Sequence, residues 1–113
     1  AVYSSPFTRC MQTATAVAKL HGLKVRVEPG IGEMLADCKE HGWGFNENPY
    51  DEAFSTAHLA SIFEVDTSYT PLWDLPARGT HSRKRSHSPL QLSFPENWED
   101  AKARYLHTLR EVQ

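Results

Sequence analysis

Cysteine is scarce in this chain, with two residues, Cys10 and Cys38, among 113. Two thiols cannot build the disulfide framework of a small secreted domain, so a reducing, intracellular compartment, the cytoplasm by default, is expected. Charge of one sign is lacking as well. Twelve Lys and Arg stand against 14 Asp and Glu, a net charge of -2, and nothing global points to a nucleic-acid or anionic-membrane partner. No apolar run reaches the length of a membrane span, and no charged-then-apolar leader opens the chain. Walker-type and dinucleotide glycine patterns are missing too. There is no initiator Met, and Ala1 to Tyr3 read as the tail of a buried strand, so the chain is expected to be an excerpt of something longer. What remains is globular material: 40% hydrophobic and 23% charged residues, enough for one small domain burying about two-thirds of its unfolded surface.

The most informative stretch is Val2 to Ala14. Ser5 offers a side-chain oxygen as helix N-cap, and Pro6 suits the first helical position. Phe7, Met11, Ala14 and Ala18 recur at helical spacing, with Cys10 and Val17 widening the apolar face, which predicts a helix from Pro6 to Leu20. Gly22, after His21, is its expected left-handed C-cap. Leu23 to Val27 alternate as a short strand, so a β-α-β unit with parallel strands is the economical topology. A helix mouth beside a strand end seats an anion, and Arg9 lies one turn inside it. Read locally, Arg9 is either an anion ligand or a solvated surface arginine. Gly30 and Gly32 flank Ile31 and give a backbone able to place Glu33 over the C-terminal strand edges; the plainer reading of Glu33 is a helix-start carboxylate.

Further on, Cys38 to Tyr50 reads as loop and turn, and Asp51 to Ile62 as a short helix carrying Phe54, His58 and Ile62. Cys38 and His41 are half a zinc site, and His81 and His87 lack helical pairing, so no metal is expected. The basic run Arg78 to Ser88 reads as a mobile surface loop that could steer anions; a nuclear-localisation or nucleic-acid patch and phosphorylation at Ser86 are the sharper alternatives. Ser93 and Glu96 fit a capping box, with Asn97 as alternative cap. The helix behind it carries Trp98, Ala101, Tyr105, Leu109 and Val112 as an apolar stripe with Leu106 beside it, while Glu99, Asp100, Lys102, Arg104 and Arg110 are expected in water. The divisions are thus 1–36, a strand-helix-strand core; 37–92, an insertion or cap region; and 93–113, a closing helix.

Ser-Ser-Pro-Phe-Thr-Arg-Cys-Met-Gln-Thr-Ala, residues 4–14, resembles the arginine signature of the histidine phosphatase superfamily, roughly S-P-x-x-R-x-x-Q-T-A. Val27 to Glu33 is similar to the segment that follows this signature in the family, and residues 93–113 resemble a later helix. The resemblance implies an α/β fold, a three-layer α/β/α sandwich with mainly parallel sheet, incomplete in this chain. It implies that Arg9 grips the substrate phosphate, that Glu33 is the proton donor, and that Ser5 and Thr8 are pocket neighbours. Ile62 to Pro71 resembles, more loosely, an insertion in the branch of the suppressor-of-T-cell-receptor-signalling and ecdysteroid-phosphate phosphatases. The implied reaction is phosphomonoester hydrolysis through a phosphohistidine, or phosphoryl transfer to another hydroxyl as in a phosphoglycerate mutase, without metal or cofactor, because arginines and imidazoles neutralise the charge. The family's Arg-His-Gly nucleophile motif is not present: His21-Gly22 follows Leu20, and His41-Gly42 follows Glu40. A catalytically inactive phosphatase-like scaffold is therefore the rival reading. Expected partners are a phosphorylated small molecule or phosphopeptide as substrate, with homo-oligomerisation allowed.

Overall fold

Val2–Ser4 and Val25–Val27 form adjacent parallel strands, β1 and β2, in a computed structural model that describes residues 1–34, 52–75, 90–92 and 96–112. Val2 stands opposite Val25, Tyr3 opposite Arg26 and Ser4 opposite Val27. Side chains alternate across a strand, so Val2, Val25 and Val27 share one face. Helix α1, Thr8–Leu20, covers that face with Met11, Ala14 and Ala18, and Leu59 and Val65 complete the core. The β-α-β unit expected from the sequence is present. Val65 extends the sheet beyond β2, since the Val25 N–H bonds Glu64 O at 2.9 Å and the Asp66 N–H bonds Val25 O at 2.8 Å.

The helix starts later than its sequence suggests. Phe7 is extended, with φ -66° and ψ 136°, and occupies the N-cap position, where no side chain caps the helix. The Phe7 ring is buried with Trp73 and Leu92 and meets Phe54 edge-on at 5.4 Å. That packing keeps residue 7 out of the helix, so Ser5 is not the cap and Pro6 is not the first helical residue. At the other end the Leu23 N–H bonds Ala18 O and the Gly22 N–H bonds Lys19 O, at 2.9 and 3.2 Å, with Gly22 at φ 65°. This is the Schellman closure that Gly22 makes inexpensive. It uses Leu23, and β2 begins at Val25 instead of Leu23.

Beyond β2, Glu28 opens a 3-10 turn, Pro29–Ile31, and is completely buried. Its Oε1 accepts from the N–H groups of Gly30 at 2.9 Å and Trp73 at 3.1 Å; its Oε2 accepts from the Tyr69 hydroxyl and the Leu72 N–H, both at 2.6 Å. Burial, and then the carboxylate of Glu28, push the Tyr69 phenol above its ordinary pKa. Strand β3, Trp73–Asp74, pairs in parallel with β4, Leu90–Gln91. The expected single helix from Asp51 to Ile62 is a 3-10 turn, Glu52–Phe54, followed by α2, Thr56–Ala60. Ser55 divides them, accepting from the His58 N–H at 3.1 Å, and Ile62 lies exposed beyond the end.

The last helix, α3, runs over Trp98–Glu111 and is capped by Asn97, which accepts from the Asp100 N–H at 2.8 Å. Its buried face is Ala101, Arg104 and Thr108. The apolar stripe expected there is only partly inward: Ala101 is buried and Tyr105 and Val112 are half-buried, but Trp98 is 66% exposed and Leu109 is also exposed, as is Leu106 beside it. Arg104, expected in water, is 2% exposed because Glu96 is buried beside it and takes its Nε at 2.7 Å and its Nη2 at 2.6 Å. A bidentate ion pair outranks hydropathy in setting the rotation of this helix. The Cys38–His41 pair, the loop reading of 38–50, the basic run with His81, Ser86 and His87, and the capping Ser93 lie outside the described residues.

The strands' second face carries Tyr3 and Arg26, whose guanidinium donates to Asp66 at 3.0 Å and to the Tyr3 hydroxyl at 3.2 Å. Hydrogen bonds from Ser68, and then from Arg26, hold the Asp66 carboxyl below its ordinary pKa of 3.8. A depressed folded pKa adds stability that is present above the unfolded value and lost as pH falls through the folded one. The melting-temperature gap between wild type and Asp66→Asn should therefore be constant near neutrality and close below about pH 4. Glu28→Gln sets an amide against donors that need an acceptor; urea unfolding should show a loss on the order of 3 kcal/mol.

Candidate functional site

A cleft of about 620 Å³ runs between β1 and α1. Val2, Tyr3, Ser4 and Ser5 form one wall, and Arg9, Cys10, Thr13, Ala14 and Val17 the other, with Ile31 also lining it. The helical wall presents residues three and four apart, as one helix face must. Its N-terminal end is the polar end. There the first turn of α1 carries no acidic side chain and no side-chain cap, so the positive end of the helix dipole faces the surroundings.

Arg9 stands at that end, its guanidinium over the Phe7 ring at 4.8 Å from the centroid. The buried Phe7 thus serves as a platform for a side chain two residues later. Arg9 Nη2 donates to Glu33 Oε2 at 2.6 Å, and the two side chains are 66% and 54% exposed. The structure therefore brings Arg9 and Glu33 together, 24 residues apart in sequence. Ser5 is buried and lines the cleft, whereas Thr8 is exposed and outside its lining. A guanidinium has five N–H donors in a rigid fork, more than one bond to a carboxylate uses, so an anion can share Arg9 or compete with Glu33 for it.

Glu33 is held through its backbone. Arg104 Nη1 donates to Gly30 O at 2.7 Å and to Gly32 O at 2.9 Å, and the Tyr105 hydroxyl donates to Gly32 O at 2.6 Å. Burial lowers the Arg104 pKa, but the hydrogen bonds and charge of Glu96 outweigh it and leave the guanidinium above its ordinary value. Neither Glu28 nor Arg104 stands out as a site residue from local patterning. A signal for Arg104 does exist: it falls three and four residues from the small Ala101 and Thr108, so a buried face through those two must include it.

His21 is exposed at the C-terminus of α1, roughly 20 Å along the axis from the Arg9 end at 1.5 Å per residue. It cannot serve the same phosphate. Among the described residues no group of three or more His, Cys, Asp or Glu side chains is placed to hold a metal ion, and no helix is long and apolar enough to cross a membrane.

A family model described as histidine phosphatase superfamily (branch 1) matches residues 1–57, which include β1, α1, β2, Arg9 and Glu33. Comparison with curated proteins and with solved structures gives no match.

An ion pair this exposed contributes little to folding. A double-mutant cycle on Arg9→Ala and Glu33→Ala, read by urea unfolding, should give a coupling below about 1 kcal/mol. A coupling of several kcal/mol would make the pair a structural bolt instead of an accessible site.

Proposed function

The chain belongs to the histidine phosphatase superfamily, and from that membership we propose that it carries the phosphate-gripping and proton-donating part of a phosphomonoesterase site. The observation supporting this most strongly is Arg9 at the uncapped mouth of α1, 2.6 Å from Glu33 and on the wall of the cleft. In this reading Arg9 holds two non-bridging oxygens of the substrate phosphate, and the first N–H groups of α1 add donors and a positive dipole. Ser5 lies within the same wall as a polar neighbour; Thr8 keeps a role only if it turns inward.

Glu33 gives its proton to the leaving-group oxygen as the phosphorus–oxygen bond breaks. The nucleophilic histidine that the resemblance implies has no Arg-His-Gly counterpart in this sequence. The covalent step is therefore assigned to none of the histidines here. We infer that the strands and helices described here belong to a three-layer α/β/α sandwich.

We also infer membership of the branch that includes the ecdysteroid-phosphate phosphatases. Asp66 and Tyr69, from the stretch resembling that branch, gather around Arg26 and Tyr3, and Tyr3 lines the cleft. The substrate class is a phosphorylated small molecule or phosphopeptide.

Inorganic phosphate binding, followed by ³¹P NMR, tests the assignment on the chain itself. Arg9→Ala should weaken binding by roughly 10- to 100-fold, the worth of charge-assisted hydrogen bonds. Equal affinity in wild type and variant overturns the role given to Arg9.

A further inference from the structure

Arg9 and Glu33 are both long and more than half exposed, and such a pair does not hold its own geometry. The backbone beneath Glu33 is in the opposite condition. Gly30 and Gly32 are buried, and the Gly30 N–H is taken by Glu28 at 2.9 Å. A Cβ added at Gly30 would overlap Thr108 Oγ1 and the Trp73 ring, so the turn is seated against both α3 and β3. Gly32 O belongs to the peptide whose N–H is that of Glu33, and it accepts from two donors of consecutive residues, Arg104 Nη1 at 2.9 Å and the Tyr105 hydroxyl at 2.6 Å. Arg104 is itself fixed by Glu96 through two bonds, with its guanidinium 4.4 Å from the Tyr105 ring centroid. Their hydrogen bonds go to Glu96 and to the carbonyls of Gly30 and Gly32, and together they orient the peptide from which Glu33 projects.

We propose that Arg104 and Tyr105 are positioning residues for the Arg9–Glu33 pair: by pinning the Gly32–Glu33 peptide to α3, they set how firmly Glu33 occupies the Arg9 guanidinium and so how much of it is open to a phosphate. The proposal rests on the reading of Arg9 as the phosphate ligand. Loosening the pin frees Arg9 from its internal competitor. A purely structural role for the two residues would lower stability and leave the affinity of the folded chain for phosphate unchanged.

The probe is inorganic phosphate, and the chain is compared as wild type, Arg9→Ala, Glu33→Gln and Tyr105→Phe. Tyr105→Phe removes one bond to Gly32 O while leaving the ring and Arg104 in place. Arg104→Ala would strand a buried Glu96 carboxylate, so Arg104 is tested with both charges removed, as Arg104→Met with Glu96→Leu. Glu33→Gln should tighten phosphate by about 5-fold, the value of releasing one exposed ion pair, and Tyr105→Phe by about 2-fold. Side-chain ¹⁵N relaxation of the Arg9 guanidinium supplies a reading that needs no phosphate: Tyr105→Phe and the paired variant should mobilise it. If Arg9→Ala loses affinity while Tyr105→Phe changes neither affinity nor Arg9 mobility, the positioning role is overturned and the phosphate reading stands. If Arg9→Ala binds phosphate as wild type does, the phosphate reading fails, and Arg9 mobility in Tyr105→Phe alone decides whether the pin exists.

Discussion

Glu28 is a carboxylate taken wholly out of water, and donors from residues 30, 69, 72 and 73 converge on it. A buried charge persists only where hydrogen bonds replace its hydration, so this cluster fixes the relative position of everything that supplies a donor. It ties the end of β2 to the start of β3 and to the stretch that packs on Arg26. The parallel pair β1–β2 supplies the apolar floor, but the carboxylate decides where the following turn stands. That turn leads directly into Glu33 and offers the Gly30 and Gly32 carbonyls to Arg104.

The same chemistry occurs at two depths in this molecule. Arg104 and Glu96 form an ion pair almost without exposure, and Arg9 and Glu33 form one that is largely in water. The buried pair has no freedom to exchange partners, because either charge left alone inside would be costly. The exposed pair exchanges partners readily, since water and salt compete with it at all times. Rigidity and exchangeability are thus divided between α3 and α1, with the turn at Gly30–Gly32 connecting them. An arginine that is to take up an anion needs the second property, and the carboxylate beside it takes the first from its backbone.

Local signals in the sequence reached the strand, helix, strand order of the first 27 residues, because hydrophobic spacing and a Gly22 closure are decided within a few residues of each other. They also single out Arg9 and Glu33, which the structure pairs at 2.6 Å, though through a family motif more than through periodicity. Helix α1 starts at Thr8 and not at Pro6 because Phe7 packs with Phe54 and Trp73, residues far along the chain. The face of α3 departs from its hydropathy in part, for a related reason: Ala101 is buried as its spacing indicates, but Glu96 and two carbonyls of the Gly30–Gly32 turn draw Arg104 inward ahead of Trp98 and Leu109. Glu28 gave no signal as a hub, since three of its four donors lie more than 40 residues away. Long-range polar satisfaction is what a period of 3.6 or 2 cannot report.

The central claim is that a dianion lodges at the Arg9 end of α1, beside Glu33. Its most direct test is a residue-resolved map of ¹H–¹⁵N shifts, arginine side chains included, as inorganic phosphate is added to the wild-type chain. The account predicts saturable shifts at the Arg9 guanidinium, the amides of residues 8–10 and the amide of Glu33. Shifts confined to the basic run at residues 78–88, with Arg9 unmoved, would contradict it.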